Sequence, residues 1–237
     1  MMKVLSKSAT LAGLLALFLA LPAYGSINKS IKIGAGETSD GESSVNGSIT
    51  IGEGATVTGD VTTVNGTIRI EEGATIGDAE TVNGGLRVAD NVKSENLSTV
   101  NGSIRVAGQV SVDGEISAVN GRIVVGGGSK IVNDVGNVNG EIELSGSEVG
   151  GDLTTTNGDI ELADGAVIKG NLIVEKPGGW NNNNREPRII IGPGSRVEGT
   201  IRLEREVELF ISESAEVGGV EGVMSMEDAV RFSGKKP

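Results

Sequence analysis

The chain has 237 residues, of which 38 are Gly, and it contains no Cys and no His. Without these two residue types there is no disulfide framework, no thiolate nucleophile, no imidazole base, and no Cys or His ligand for a metal. The formal net charge of −12 disfavours partners of the same sign, so we predict that the protein binds no nucleic acid.

The first 25 residues have the pattern of a secretory signal peptide. Lys3 and Lys7 precede an apolar run over 11–21, which is too short to span a bilayer as a stop-transfer helix, and small residues follow it. We therefore predict cleavage before Ser26, export to the periplasm or the cell exterior, and no stable membrane insertion of the cleaved product. An uncleaved N-terminal anchor is the alternative.

The rest of the chain repeats a Val-Asn-Gly motif, or a near variant of it, every 18 or 19 residues. The repeated Asn residues are Asn46, Asn65, Asn83, Asn101, Asn120, Asn139 and Asn157. Between the motifs, apolar residues alternate with polar ones, as at Ile49 and Ile51, and Gly-rich corners separate these pairs. Alternation with period 2 indicates short strands, and the constant orientation of the units excludes a hairpin array.

Each unit is therefore predicted to form one coil of a parallel β-helix. About 18 residues make three sides of about six residues, like residues stack about 4.8 Å apart, and inward Val and Ile form continuous columns. The predicted fold is all-β: a three-sided solenoid of about ten coils, each of about 18–19 residues. Periodicity alone does not determine the handedness of the coil.

One insertion interrupts the repeat. The predicted solenoid domain covers 26–221, and the insertion at 177–187 contains the only Trp of the chain, Trp180. After it, residues 189–201 repeat the pattern of 49–61 position for position. The same solenoid is therefore predicted to continue on both sides of the insertion.

The two ends of the repeat differ from its middle. Polar residues at 37–44 replace the apolar second side of the first coil. The segment 222–237 is predicted either to cap the last coil or to form a polar tail. In the first case, a capping box at Ser225 starts a short helix that runs through Phe232.

The repeated Val-x-Gly-x-Ile-x-Ile and Gly-Asp-Val elements, as in 64–70 and 59–61, make the chain resemble the bactofilins, the polymer-forming cytoskeletal proteins of bacteria. The resemblance extends over 28–174 and 189–220. It implies a right-handed β-helix with three faces that self-associates end to end and binds no nucleotide. The signal peptide would make this protein an exported form.

The Asn column has two interpretations. In the structural one, Asn-Gly forms a corner, because it tolerates positive φ, and the stacked amides hydrogen-bond from coil to coil. In the functional one, the amides form a ladder that binds a ligand. Because the same geometry is needed at every turn of the coil, we favour the structural interpretation.

A second column lies five residues before each Asn and is mostly acidic. Its members are Asp60, Asp78, Asn96, Glu115, Asp134 and Asp152. Pointing outward, these groups would be screened by water and salt, whereas paired carboxylates would offer oxygen ligands to Ca²⁺. We predict no metal site, because the Gly-Gly-x-Gly-x-Asp calcium repeat is absent.

The central residue of each Ile-x-Ile strand is predicted to point outward. In chain order these residues are Thr50, Arg69, Arg87, Arg105, Val124, Glu143 and Glu161. The side is thus basic in its early coils and acidic in its later ones. The three Arg residues, together with Trp180, are the candidate partner-binding residues. An ordinary solvated face is the alternative for the Arg residues, and burial against the rod is the alternative for Trp180.

Hydroxyl residues near each Asn form a partial strip. They are Thr62, Thr63, Thr81, Ser98, Thr99, Thr154, Thr155 and Thr156. A continuous flat array of Thr is typical of ice-binding solenoids. Ala118 and Asn137 interrupt the strip, which argues against that function.

These features predict an exported, non-enzymatic structural or scaffold protein of the bacterial cell envelope that needs no cofactor. Its partners would be further copies of itself, in an oligomer or polymer, or a polysaccharide or protein of the envelope. An adhesin-like, polysaccharide-binding module is the alternative, and a carbohydrate-active enzyme is a third candidate. The near-minimal coil length argues against the long loops and acid-lined groove that such an enzyme needs.

Overall fold

The computed structural model describes residues 27–178 and 185–237, and in them it confirms the predicted all-β parallel solenoid. Thirty short strands form three stacked faces, with every strand pair parallel. The predicted signal peptide at 1–25 and Trp180 lie outside the described residues. Within the described ranges, no helical segment has the length and hydropathy of a membrane span.

Each face is built from one strand of each successive coil, except that on face 2 the coil between β5 and β10 contributes only isolated bridges through Thr75. Face 1 contains β1 (Ile31–Ile33), β4 (Ile49–Ile51), β7 (Ile68–Ile70), β9 (Leu86–Val88), β12 (Ile104–Val106), β15 (Ile123–Val125), β18 (Ile142–Ser145), β21 (Ile160–Ala163), β24 (Arg188–Ile191), β27 (Glu208–Ser212) and β30 (Val230–Phe232). Face 2 contains β2 (Thr38–Ser39), β5 (Thr56–Val57), β10 (Lys93–Ser94), β13 (Ser111–Val112), β16 (Lys130–Ile131), β19 (Glu148–Val149), β22 (Val167–Ile168), β25 (Arg196–Val197) and β28 (Glu216–Val217). Face 3 contains β3 (Glu42–Asn46), β6 (Val61–Asn65), β8 (Ala79–Asn83), β11 (Leu97–Asn101), β14 (Ile116–Asn120), β17 (Val135–Asn139), β20 (Leu153–Thr155), β23 (Leu172–Val174), β26 (Ile201–Leu203) and β29 (Val220–Gly222).

The coils stack in register, so that equivalent residues of successive coils pair directly. Ile104, for example, pairs with Leu86 of the coil before and with Ile123 of the coil after. Since alternate residues of a strand point to opposite sides, this register lines the interior with continuous Ile, Leu and Val columns that are almost wholly buried. The tube is narrow, and Phe232 at its C-terminal end is the only buried aromatic side chain among the described residues.

The register continues on both sides of the insertion. Ile160 of β21 pairs with Ile189 of β24, and Leu172 of β23 pairs with Ile201 of β26. These are the positions that the overlay of 189–201 on 49–61 predicts. The inserted segment therefore extends one corner of a coil without changing the stacking of the strands around it.

The corners are tight for two different reasons. Between faces 1 and 2, residues such as Gly54 and Gly73 have φ of 62° and 69°, a region that favours Gly. At the Asn-Gly corners, between faces 3 and 1, the tolerance of Asn-Gly for positive φ is used at Gly140, with φ of 122°, and not in the other units. Gly is needed there because a Cβ at Gly102 would overlap the backbone carbonyl group of Gly84.

The C-terminal segment is ordered as a further part of the stack. The helix predicted from Ser225 is only a single 3-10 turn, Met226–Asp228, whose N-terminus is stabilised by the Asp228 carboxylate accepting from the Ser225 backbone N–H at 2.8 Å. Strand β30 follows it and pairs with β27, so the alternative of a polar tail is wrong as far as Phe232. Met224 and Met226 pack against the end of the core, which this segment therefore covers.

Candidate functional site

The predicted Asn column forms a continuous hydrogen-bonded ladder along one edge of the rod. Each side-chain amide donates to the amide oxygen of the Asn one coil before it, at 2.7–3.0 Å, from Asn46 on Asn28 to Asn157 on Asn139. All the amides therefore point the same way, with their oxygens toward the C-terminus. At that end the Arg205 guanidinium donates to the oxygen of Asn157 at 2.9 Å.

This geometry supports the structural interpretation of the ladder. Each amide is held by both neighbouring coils, and aligned amides strengthen one another's hydrogen bonds. The Arg205 guanidinium lies beside the amide oxygen of Asn157, to which no Asn of a following coil donates. No signal near Asn157 predicts Arg205, because the two residues are 48 positions apart and the insertion lies between them.

Removing one rung of the ladder is expected to weaken the rod. Asn101 donates to Asn83 at 3.0 Å and accepts from Asn120 at 2.9 Å, so Asn101→Ala removes two hydrogen bonds. Because water can replace part of them at this exposed edge, we expect the free energy of unfolding to fall by about 1 kcal/mol. Chemical denaturation followed by circular dichroism measures this change.

Ser103→Ala is the matched control for that experiment. Ser103 lies two residues further along the same corner, and we expect a change within about 0.5 kcal/mol on its replacement. A stability unchanged by Asn101→Ala would contradict the structural interpretation and leave ligand binding as the reason for the ladder.

The hydroxyl residues just before the Asn column do not form a surface strip. Thr63, Thr81, Thr99 and Thr155 point into the tube and are almost completely buried. Thr99, for example, donates to the carbonyl oxygen of Gly84, in the coil before, at 2.9 Å. The hydroxyl groups of Thr63, Thr81 and Thr99 donate to carbonyl groups of the Asn-Gly corner, whereas Thr155 donates to the side-chain oxygen of Asn137 at 2.6 Å. The prediction of a surface strip is therefore wrong for this column.

Valine residues form an outward column on face 3, although their apolar side chains would predict an inward position. Its members are Val45, Val64, Val82, Val100, Val119 and Val138, all half-buried on face 3. Stacked β-branched side chains cover one another and stabilise the sheet. The Val of each Val-Asn-Gly motif is thus a surface residue, although its apolar character favours an inward assignment.

The acidic column connects backbone groups of successive coils. The Asp78 carboxylate accepts from the backbone N–H of Asn96 at 3.0 Å, and Asp152 accepts in the same way from Asn171 at 2.9 Å. Burial raises the pKa of Glu115, and the nearby charges of Asp134 and Asp78 raise it further. Residues 27–178 and 185–237 contain no group of three or more acidic side chains placed to hold a metal ion.

Face 1 places its charges as the sequence predicts. Arg69, Arg87 and Arg105 lie on three successive coils, paired in register, with their side chains exposed. They line a shallow groove of about 350 Å³, beside Ala89 and Ala107. None of the three makes an ion pair within the described part of the chain.

The acidic half of face 1 follows on the next coils. Beyond Val124, the outward residues are Glu143 and Glu161, again paired in register. Arg122 at the preceding corner forms ion pairs with Glu141, at 3.2 Å, and with Glu143.

The C-terminal tail reaches this half of the face from three coils away. The ammonium group of Lys236 lies 2.9 Å from the Glu161 carboxylate, 75 positions away in sequence. The ion pair raises the pKa of Lys236, chiefly through the hydrogen bond to Glu161. Beyond Glu161 the outward column becomes apolar with Ile190 and Phe210, and the Arg188 guanidinium lies over the Phe210 ring at 4.8 Å.

Comparison with protein-family models, with curated proteins and with solved structures finds no match for this chain. The bactofilin resemblance therefore remains a prediction from the repeat elements. Trp180, the other candidate binding residue, lies outside the described residues.

Proposed function

We propose that this protein is an exported, non-enzymatic structural rod of the bacterial cell envelope that assembles with further copies of itself. The observation that carries the proposal is the uninterrupted stack from β1 to β30, in which every coil is bonded to the next. Such a stack is stiff, because each coil buries its apolar side only against its neighbours.

The surface of the rod supports the same proposal. Its outward side chains form repeated columns of one residue type, among them the Asn ladder and the outward Val column. Each column has one residue per coil and continues over several successive coils. Repeated columns present the same chemistry at each step of about 4.8 Å, which suits contacts with another elongated molecule. An active site needs the opposite arrangement, with unlike groups converging on one point.

Binding of an acidic envelope polysaccharide is the second candidate function, and the Arg groove on face 1 favours it. Three guanidinium groups one coil apart provide repeated bidentate donors, which carboxylate groups on a linear polymer could match. The apolar and small residues beside them would contact the sugar rings.

Sedimentation velocity of the purified protein over a wide range of concentration tests the proposal. We expect the sedimentation coefficient to rise with concentration as copies associate. A monomer at every concentration would contradict assembly, and retention of that monomer on an acidic polysaccharide would favour the second candidate. Mass determination of the secreted product tests export, with Ser26 as its expected first residue.

A further inference from the structure

On the two coils before and the two coils after the central strand of face 1, the outward column carries opposite charges at equal distances. Face 1 has eleven strands, and β15, which carries Val124, is the sixth of them. One coil before Val124 lies Arg105, and one coil after it lies Glu143. Two coils before it lies Arg87, and two coils after it lies Glu161.

We infer that face 1 is an interface between two antiparallel copies of this chain. The two-fold axis would lie between the two faces, parallel to the strands and over β15. This operation places Arg105 opposite Glu143 of the second copy and Arg87 opposite Glu161 of the second copy, and each pair occurs twice. The inference rests on the proposed assembly of the rod and names the surface through which it occurs.

The central position of β15 makes the overlap complete. With five strands on each side, β1 of one copy lies opposite β30 of the other, and no part of either face extends beyond the partner. Parallel copies would also overlap completely, but they would place Arg against Arg and Glu against Glu. Like charges in direct opposition destabilise an interface, so the four charges of the outward column, Arg87, Arg105, Glu143 and Glu161, favour the antiparallel arrangement.

Small residues allow the two faces to approach closely. Val124 lies at the centre, and over the five central coils the column on its C-terminal side consists of Ala89, Ala107, Gly126, Ser145 and Ala163, whereas the column on its other side carries Arg122 and Glu141. The axis would bring Ala107 opposite Ser145 of the second copy and Ala89 opposite Ala163 of the second copy. The long Arg side chains therefore have room to lie across the interface toward the carboxylates.

The polar character of the face predicts a weak dimer rather than a permanent one, although its area is sufficient for a stable interface. Ten spacings of about 4.8 Å give a length of about 48 Å, and five residues of about 3.3 Å each give a width of about 16 Å. The resulting area of about 800 Å² per copy is that of a standard interface, but here it is polar and solvated at its margins. We therefore expect dimerisation that depends on concentration and on salt.

The C-terminal tail shows that the acidic half of face 1 accepts a basic group from a distant part of the structure. Lys236 lies 2.9 Å from Glu161, at the position that Arg87 of a second copy would take. The tail therefore competes with the partner for this carboxylate. Removing the ammonium group with Lys236→Ala is expected to strengthen dimerisation.

Charge reversal tests the interface by sedimentation velocity at low and high NaCl. We expect Arg87→Glu and Glu161→Arg, each alone, to raise the dimer dissociation constant about tenfold or more. An equimolar mixture of the two variants restores both charge pairs in a heterodimer, so it is expected to dimerise like the unmodified protein. Arg202→Glu, a reversal at an exposed position of face 3, is the matched control and is expected to change the constant less than about twofold.

The outcomes separate this interface from the proposed function. Assembly that persists unchanged in Arg87→Glu and Glu161→Arg would overturn the interface and leave a self-assembling rod. A monomer at every concentration would overturn both. Failure of the mixture to dimerise, although both variants are folded by circular dichroism, would also overturn the interface. Binding of polygalacturonate that Arg87→Glu abolishes, together with that failure, would assign the Arg residues to a polysaccharide instead.

Discussion

Replacing Gly102 with Ala is expected to lower the free energy of unfolding by roughly 3 kcal/mol, at the upper end of the range for overpacking. The added Cβ would overlap the carbonyl oxygen of Gly84 in the coil before and would lie 3.1 Å from the backbone nitrogen of Gly85. Both obstacles are backbone atoms, which cannot move aside like the end of a flexible side chain. The two coils would have to separate, and the hydrogen bonds between them would lengthen.

Gly178→Ala is the matched control, because no atom of the residues that the structure describes lies within 4 Å of a Cβ at that position and its φ is not positive. We expect thermal unfolding, followed by far-UV circular dichroism, to show a clearly lower midpoint for Gly102→Ala and a midpoint within about 1–2 °C of the unmodified protein for Gly178→Ala. Equal midpoints for the two variants would contradict the close approach of the coils at the Asn-Gly corner.

The spacing of the repeat was sufficient to predict the architecture. A period of 18 or 19 residues with pairs such as Ile49 and Ile51 has one compact solution, and the register that pairs Ile49 with Ile68 follows from aligning the repeats. The same alignment placed Arg69, Arg87 and Arg105 in one outward column. These predictions succeed because neighbouring coils form nearly all the contacts, so local periodicity determines them.

Which alternate residues of face 3 point inward, the phase of that face, could not be predicted from polarity. In Val61-Thr62-Thr63-Val64 the two Val residues are three positions apart, so alternation cannot turn both of them inward. The structure turns Val61 and Thr63 inward and Val64 outward. The Thr63 hydroxyl donates to the corner carbonyl of Gly47 at 2.9 Å, which favours this phase. In the coil where Ala118 replaces the hydroxyl residue, the phase is kept by the register with the neighbouring coils.

Contacts between distant parts of the chain could also not be predicted from the repeat. Arg205 reaches Asn157 across the insertion, and Lys236 returns over face 1 to Glu161. Neither residue belongs to a repeated column, so no period relates it to its partner. The Arg205 guanidinium binds the amide oxygen at the C-terminal end of the Asn ladder, and the Lys236 ammonium group binds an outward carboxylate of face 1. Electrostatic complementarity with the completed stack explains these contacts.

Truncating a core side chain in the middle of the rod is expected to cost far more than the same change at its end. Ile104 is fully buried and is held between Leu86 and Ile123 by strands in register on both sides, so the wall of the tube cannot collapse into a cavity. We expect Ile104→Ala to lower the free energy of unfolding by roughly 3–4 kcal/mol, within the range for buried Ile.

Ile33 lies in the first coil and has only one neighbouring strand on face 1, so the space left by Ile33→Ala would open to solvent. We expect its cost to be about 1 kcal/mol, because less buried surface is lost and fewer packed neighbours remain around a void. Denaturant titration of both variants measures the difference, and Lys93→Ala, at an exposed position of face 2, serves as the surface control. Equal losses for Ile33→Ala and Ile104→Ala would mean that the rod unfolds as one unit whose terminal coil is packed as tightly as its centre. A larger loss at Ile104 follows if stability is the sum of contacts between adjacent coils, since only a central coil has two of them.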